Sequence, residues 1–452
     1  MPMPATETLI AVARRIADRV VTSTEVTETC LARIASGNAR LNAFITVTAG
    51  QALAMAREAD GEIAAGHYRG PLHGIPISFK DLIDVAGAPT TAASRLLAGR
   101  VAREDAPVVA RLRAAGAIFL GKTNLHEFAF GTTSEDSAYG PVRNPWDPTR
   151  SPGGSSGGAA AAIVEGMGYA AIGTDTGGSI RIPAAACGCV GLKPTYGELS
   201  CDGIVPLSWS LDHVGPIARS VADARVIYDA MLARPASAAA PPRRTAPSLR
   251  LGVLRGYFIE LLDPEVAAAF DVGLRRLTAA GVTLVDRDIP HAADTASVYL
   301  HLQLPEASAY HAEAIEMRPE AYTPPVRLRL EMGRYVLAED YIRAQRGAAV
   351  LQREVSEALV GCDALVLPTL PIPAPTLGAD TIAIGGGVHP IRTLMLRLTQ
   401  LFDISRHPAI SIPCGHTSRQ LPVGLQLVGH LNGTADLLDV AEPCESLIAA
   451  GS

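Results

Sequence analysis

The sequence predicts an α/β fold with a largely internal sheet. Strand-like and helix-like segments alternate along the first third of the 452-residue chain, which is the pattern of that class. Apolar residues make up 48% of the chain, enough for a large core and too many for an intrinsically disordered protein. The apolar run at 117–120 is typical of a short buried strand.

The first elements are a helix and two strand-rich segments. Thr22 and Glu25 form the Thr-x-x-Glu pattern of a capping box, and apolar residues at helical spacing follow them. The segments "LNAFITV" and "GIPISFKDLIDV" are rich in β-forming residues. In "APVVARLRAAGAIFLGKTN" a helical pattern leads into the buried strand at 117–120.

Strand signals return late in the chain. "LRLGVLRG" begins a strand, the pattern is then mostly helical to about residue 350, and "CDALVLPTLPIPAPT" is a buried strand that runs into a Pro-rich turn. "HPAISIPCG" and "LPVGLQLVG" predict a hairpin. We therefore expect one domain over 1–452, with an independent second domain after the linker as the alternative. Its parts are N-terminal helices at 1–65, a core at 66–232, a Pro- and Ala-rich linker at 234–248, and a helical insertion with the C-terminal completion of the sheet at 249–452.

Composition excludes several classes of protein. The net charge of −6 does not indicate a basic surface that would bind nucleic acid. No apolar segment is long enough to span a membrane, and the N-terminus lacks the apolar core of a secretory signal, so we expect a cytoplasmic protein. Seven scattered cysteines without a Cys-x-x-Cys pair are read as reduced thiols. Cys187 and Cys189 have no ligands at metal-binding spacing, and position 130, four after His126, is a phenylalanine, so HExxH is absent.

A glycine-rich element, "GTDTGGSIRIPAAACGCVGLKPT", carries the strongest chemical signal. Gly177 and Gly178 precede Ser179 and allow several backbone N–H groups to point at one spot, as an oxyanion or a phosphate requires. The chain contains neither the P-loop string nor the Rossmann glycine fingerprint. An oxyanion site beside a serine is the better explanation.

A second glycine-rich stretch, "SPGGSSGGAAAA" at 151–162, has the composition of a flexible linker. It matches Gly-x-Ser-x-Gly twice, around Ser155 and Ser156. The nucleophile elbow of α/β-hydrolases needs a strand before this motif, whereas "RNPWDPTRSP" contains two turns. The elbow is therefore excluded.

Lys80 is the third candidate, because it follows the apolar residues Ile75, Ile77 and Phe79. Burial would lower its pKa, and a neutral lysine can activate a serine without any histidine. Taken alone, a surface lysine paired with Asp81 is the commoner explanation.

Taken together, these motifs resemble the amidase signature family of serine hydrolases, over nearly the whole chain and most weakly at about 235–350. The resemblance implies a single α/β domain with a mixed, mostly buried β-sheet flanked by α-helices, and it implies no cofactor or metal. It makes Ser179 the nucleophile, Ser155 on a cis peptide the bridging serine, and Lys80 the base. The oxyanion hole falls on the N–H groups of four consecutive residues, and three other residues support the loops. These are Thr176, Gly177, Gly178 and Ser179 for the hole, and Ser156, Asp175 and Arg181 for the support.

Two functions compete within this resemblance, while an inactive scaffold is disfavoured because all three catalytic positions are filled. We expect a stand-alone hydrolase that acts through an acyl-enzyme on small apolar or aryl amides, and also on esters and carbamates, as an aryl acylamidase or urethanase does. The alternative is the amidase subunit of a glutamine-dependent aminoacyl-tRNA amidotransferase, whose pocket would need fixed charges for glutamine.

The expected substrate pocket is apolar. Leu207 and Trp209, in "CDGIVPLSWSLDHVGP", would line it unless they only pack under the loop, and the resemblance places Phe130, Gly131 and Thr132 at the entrance. The expected partner is a small amide, ester or carbamate. A homodimer stays open, and amidotransferase subunits enter only under the alternative.

Overall fold

A single mixed sheet of eleven strands organises the molecule. The computed structural model describes residues 7–233 and 246–450. Strand order is β1-β3-β2-β4-β6-β5-β12-β13-β9-β7-β8, and β10 and β11 form a separate hairpin. The strands are β1 Phe44–Val47, β2 Pro76–Lys80, β3 Ile118–Thr123, β4 Ala170–Asp175, β5 Val190–Lys193, β6 His213–Ala218, β7 Arg250–Leu254, β8 Thr283–Arg287, β9 Ala364–Pro368, β10 Thr381–Ile384, β11 Gly387–Pro390, β12 Ala409–His416 and β13 Pro422–Val428.

Helices pack on the sheet, as the sequence predicts for an α/β fold. They are α1 Leu9–Ala17, α2 Ser23–Leu41, α3 Ala49–Ala64, α4 Pro107–Ala114, α5 Gly157–Val164, α6 Arg181–Cys187, α7 Val221–Met231, α8 Pro264–Ala279, α9 Thr295–Tyr310, α10 Ala312–Met317, α11 Pro324–Gly333, α12 Ala338–Leu359, α13 Ile391–Arg397, α14 Leu401–Ile404 and α15 Thr434–Ala449. The capping box at the start of α2 is present, with Thr22 and Glu25 each bonding the other's backbone N–H. Within the described ranges, no helix is both long enough and apolar enough to cross a membrane.

The central strands explain the long apolar runs of the sequence. Every residue of β2, β3, β4 and β6 is buried, as expected of strands covered on both faces. β2 is parallel to both β3 and β4, while β4 is antiparallel to β6, so the sheet is mixed. The fold class predicted from the sequence is confirmed.

The C-terminal third adds strands to the same sheet. β12 pairs antiparallel with β5, and β12 and β13 form the predicted hairpin. Of the predicted linker, residues 234–245 lie outside the described residues, and Ala246–Ser248 form a 3₁₀ turn.

The prediction that the chain is helical from the linker to about residue 350 missed one strand. β8 lies at the edge of the sheet, beside β7 alone, and none of its residues is buried. An edge strand half open to solvent needs no continuous apolar run, so "TLVDR" gave no strand signal.

Candidate active site

The topology brings the ends of two neighbouring strands together. Lys80 is the last residue of β2 and Asp175 the last of β4, and the two strands are parallel, so their carboxyl ends meet at one edge of the sheet. Ser155 lies two residues before α5, and Ser179 lies two residues before α6. The candidate residues from three distant stretches of the sequence are thus brought together at one place.

Lys80 is completely buried. Its Nζ forms hydrogen bonds of 2.7 Å with Ser155 Oγ and 2.8 Å with Thr174 Oγ1. Asp81 does not pair with it, since its carboxylate lies 3.2 Å from Lys122 Nζ instead. Lys80 is therefore not the surface ion pair that its sequence context alone allows.

Burial makes the neutral form of Lys80 available. Removal of the amine from water lowers the pKa of Lys80 to about 7, although the charges of Asp175 and Asp212 act in the opposite direction. Near neutral pH a large share of the amine is then uncharged. An uncharged amine 2.7 Å from the Ser155 hydroxyl can accept its proton.

The loop that carries Ser155 is held by hydrogen bonds with Ser134 and by close backbone contacts. The Gly154–Ser155 peptide is cis, as the family resemblance implies. Ser134 Oγ donates to the carbonyls of Gly153 and Ser155 at 2.9 and 3.2 Å, and it accepts from Gly157 N at 3.1 Å. A Cβ on Gly154 would lie 2.8 Å from Ser134 N, so only glycine allows the two segments to approach this closely. The stretch at 151–162 has the composition of a flexible linker, but these contacts hold its backbone in one conformation.

Ser156 joins the two glycine-rich loops. Its N–H donates to the Ser179 carbonyl at 3.2 Å, and its hydroxyl donates to the Thr174 carbonyl at 3.2 Å. Ser179 itself is 6% exposed, and within residues 7–233 and 246–450 its hydroxyl has no hydrogen-bond partner. The backbone of the candidate nucleophile is thus hydrogen-bonded to the residue that follows the candidate relay.

A buried network of charges shapes the loop that carries Ser179. The Asp175 carboxylate accepts from Gly178 N at 2.6 Å and from Ile180 N at 3.1 Å, and it pairs with Arg181 at 2.9 Å. Arg181 also pairs with Asp403 at 2.6 Å. Although burial alone would raise the pKa of Asp175, the Arg181 charge holds it well below its usual range. Asp175 and Arg181 therefore support the loop, in the manner that the resemblance implies.

The same network engages one of the four N–H groups that were predicted to form the oxyanion hole. The Gly178 N–H is engaged by Asp175, whereas the N–H groups of Gly177 and Ser179 make no backbone hydrogen bond within the described ranges. Thr176 is held by its side chain, which donates to Asp212 at 2.6 Å. Within residues 7–233 and 246–450 the N–H groups of Thr176, Gly177 and Ser179 thus make no hydrogen bond and are the donors available to a developing oxyanion.

Asp212 has a role that sequence reasoning missed. Its carboxylate accepts from the N–H groups of Leu207 and Ser208 at 2.9 and 3.0 Å as well as from Thr176, and burial raises the pKa of Asp212 to about 6. The available signal was an acidic residue at the start of a buried strand, in "SLDHVGP". Asp212 connects the 201–212 loop to the candidate oxyanion loop.

Three of the predicted pocket residues follow one another beside the Ser155 loop. A Cβ on Gly154 would lie 2.9 Å from the Thr132 carbonyl carbon, and the His126 ring packs directly on Gly131. The Phe130 ring is buried. The three residues therefore lie beside the Ser155 loop, and their role at a pocket entrance stays a prediction.

The other two pocket residues are separated from each other. Leu207 is buried in the main hydrophobic core, and Trp209 is 52% exposed. Only the Leu207 backbone reaches the site, through Asp212. The side chain of Leu207 therefore packs under the loop.

The chain combines an α/β fold with a buried Lys–Ser pair, and comparison with known proteins places it in a family. A protein-family profile described as Amidase matches residues 25–438. An amidase from Pseudomonas putida is 42% identical over 90% of this chain and 89% of its own length. A glutamyl-tRNA(Gln) amidotransferase subunit from Anaeromyxobacter dehalogenans is 39% identical over 95% of this chain and 94% of its own. A solved structure described as an amidase superimposes with a TM-score of 0.92 at 36% identity, covering 97% of this chain and 99% of that one.

The chain belongs to the amidase signature family, as its motifs predict, and is an amidase-type hydrolase. Stand-alone amidases and amidotransferase subunits match it at similar identity.

Proposed function

We propose that the protein is a stand-alone amide hydrolase in which Ser179 is the nucleophile, Ser155 the relay and Lys80 the base. The observation that carries this proposal is the contact of 2.7 Å between Lys80 Nζ and Ser155 Oγ. It is supported by the lowering of the Lys80 pKa to about 7, which makes a neutral amine available. A lysine that kept a carboxylate partner would stay protonated and could not accept a proton.

The proposed reaction passes through an acyl-enzyme. Neutral Lys80 takes the proton of Ser155, which takes that of Ser179 as Ser179 Oγ attacks the carbonyl carbon. The N–H groups of Gly177 and Ser179 stabilise the tetrahedral oxyanion, and one such donor typically contributes ~3 kcal/mol. The relay then runs backwards and protonates the leaving amine. Water attacks the acyl-enzyme by the same route and releases the acid.

Small apolar and aryl amides are the proposed substrates, with esters and carbamates as further ones. The buried Phe130 ring beside the Ser155 loop supports an apolar contact. A panel of nitroanilides, an aryl ester, an aryl carbamate and glutamine tests this choice. Release of ammonia from glutamine without turnover of any anilide would refute it.

The amidase subunit of an amidotransferase is the second candidate, because a relative named as an amidotransferase subunit is 39% identical over nearly the full length. In that case the chain would hydrolyse glutamine efficiently only with its partner subunits. Glutaminase activity that rises strongly when such subunits are added, with anilides inert throughout, would decide for this candidate.

Labelling of the nucleophile tests the mechanism separately from the substrate. A sulfonyl fluoride should modify Ser179, which peptide mass spectrometry locates directly. Ser179→Ala should abolish both labelling and turnover, whereas Ser446→Ala, at an exposed position on α15, should change neither. Labelling at another serine, or full turnover by Ser179→Ala, would contradict the assignment.

A further inference from the structure

One buried threonine from the C-terminal third of the chain contacts the candidate oxyanion loop. Thr399 lies between α13 and α14 and is completely buried. Its hydroxyl donates to the Gly177 carbonyl at 2.6 Å, although 222 residues separate the two in sequence. The Leu396 carbonyl, three residues back, lies 3.4 Å away and is the ordinary local acceptor for a threonine at the end of a helix. The hydroxyl therefore makes its short hydrogen bond to the loop and not to its own helix.

The peptide group between Gly177 and Gly178 is held at both of its polar atoms. Thr399 binds the oxygen, and the Asp175 carboxylate accepts from the Gly178 N–H at 2.6 Å. Gly178 has a φ of +132°, and the Cβ of any other residue there would overlap the Thr399 hydroxyl. A pair of glycines has little intrinsic resistance to rotation of the peptide between them, so the two hydrogen bonds select one orientation.

The orientation of this peptide sets the direction of two available donors. The N–H groups of Gly177 and Ser179 belong to the peptides on either side of it, and neither makes a hydrogen bond within the described ranges. Rotation of the peptide between Gly177 and Gly178 changes ψ of the first and φ of the second, and so turns one N–H group relative to the other. Two donors stabilise the same oxygen only while both point at it.

Thr399 is itself held in place by the buried charge network. Its carbonyl accepts from Arg181 Nη1 at 2.9 Å, and the same guanidinium donates to Gln426 at 2.7 Å and pairs with Asp403. The Gln426 amide in turn donates to the Leu398 carbonyl at 2.8 Å. The threonine is thus tied to β13 and α14, and its hydroxyl is presented to the loop from a fixed position.

We propose that Thr399 is a positioning residue for the reaction. By holding the Gly177 carbonyl, its hydroxyl keeps the N–H groups of Gly177 and Ser179 directed at the oxygen of the tetrahedral intermediate. The inference rests on the proposed function, because it assumes that Ser179 attacks the substrate. The negative charge on that oxygen develops only as the transition state forms, so Thr399 should affect the chemical step more than the binding of substrate.

The replacement Thr399→Val removes the hydroxyl and keeps the shape of the side chain. With a nitroanilide substrate, kcat should fall by ~10- to 100-fold, which is less than the complete loss of one oxyanion donor costs. KM should stay within about twofold of the wild-type value, because the oxyanion exists only after attack. Thr399→Ser restores the hydroxyl and should recover most of the wild-type kcat. If valine is not tolerated at this position, Thr399→Ala provides the same comparison without the bulk of valine.

Thr369→Val is the matched control. Thr369 is as completely buried as Thr399, and its hydroxyl forms a hydrogen bond of 2.9 Å with Ser411 on β12. Both valine variants lose one buried hydrogen bond and should have a lower thermal midpoint, but only Thr399→Val should lose kcat. An equal loss of kcat in the two variants would mean general destabilisation and would overturn the inference.

An inhibitor that forms the oxyanion measures the orientation of the loop without turnover. A phenyl trifluoromethyl ketone adds to a serine hydroxyl and carries its oxygen as an anion in the adduct. Its inhibition constant should rise in Thr399→Val by about the same factor as kcat/KM falls, and should not change in Thr369→Val. A wild-type inhibition constant in Thr399→Val, or a raised KM with unchanged kcat, would contradict a positioning role.

Labelling of the wild type separates failure of this inference from failure of the proposed function. If a sulfonyl fluoride modifies Ser179 and Thr399→Val keeps the wild-type kcat, the positioning role is wrong and the proposed function stands. If Ser179 is not modified and Ser179→Ala retains turnover, the proposed function is wrong and the inference falls with it.

Discussion

The replacement Lys80→Met tests the central premise that the amine is buried and neutral. Methionine keeps an unbranched side chain of similar length and removes the titrating group. Burial lowers the pKa of Lys80 from about 10.5 to about 7. At about 1.36 kcal/mol per pH unit, this shift corresponds to a cost of about 5 kcal/mol for folding at pH 7.

The sign of the pH dependence follows from proton counting. Between pH 7 and 10.5 the lysine is protonated in the unfolded chain and neutral in the folded protein, so folding releases a proton and wild-type stability rises with pH. Lys80→Met lacks this slope. Its stability advantage should be largest at or below pH 7 and should shrink by about 1.4 kcal/mol per pH unit above it. The lost contacts with Ser155 and Thr174 reduce the advantage by a constant amount.

Urea unfolding of both proteins from pH 6.5 to 10 measures this difference, and the pH profile of kcat/KM provides the second readout. Wild-type kcat/KM should fall about tenfold per unit below a midpoint near 7, and Lys80→Met should lose activity by ~10²-fold or more. A stability difference independent of pH would refute the reasoning. Burial also lowers the pKa of Lys193 to about 7, and Lys193 bonds the His407 carbonyl and lies 3.2 Å from His213. Because Lys193 is present in both proteins, its titration cancels when the stability of the wild type is subtracted from that of Lys80→Met. The difference between the two proteins therefore reports the titration of Lys80.

Three further substitutions probe the relay and the loop. Ser155→Ala should lower kcat by ~10²–10⁴-fold with its fold intact by circular dichroism, and near-normal turnover would remove Ser155 from the mechanism. Gly177→Ala places a Cβ 2.6 Å from the Tyr299 hydroxyl, so both kcat and the thermal midpoint should fall; wild-type values for both would contradict this packing. Asp212→Asn removes a charge that raises the pKa of Lys80, so the acid limb of the pH profile should move to lower pH, and an unmoved limb would show that the charge does not reach Lys80.

The motifs identified the candidate centre because the loops that build it are continuous in sequence. Ser155 and Ser179 each stand in a long glycine-rich stretch, whose close backbone contacts tolerate little else. The residues that support these loops from elsewhere in the chain belong to no recognisable sequence motif. Asp403 lies 222 residues from Arg181 along the chain, and Arg392 lies 262 residues from Phe130. These contacts are therefore visible in the folded structure and not in the sequence. Edge strand β8 was missed for a related reason, since solvent on one side removes the apolar signature that identified the buried strands.

The buried ion pairs explain how Lys80 stays without a carboxylate partner, as the proposed base requires. The charge of Asp175 raises the pKa of Lys80, and a direct pair between them would hold the amine protonated. Arg181 prevents this, because it binds both oxygens of the Asp175 carboxylate, which also accept from Gly178 N and Ile180 N. The carboxylate thereby faces the loop that carries Ser179, and among residues 7–233 and 246–450 the Lys80 amine forms hydrogen bonds with the hydroxyls of Ser155 and Thr174 alone. Arg181 therefore both shapes the loop and keeps the proposed base, Lys80, without a carboxylate partner.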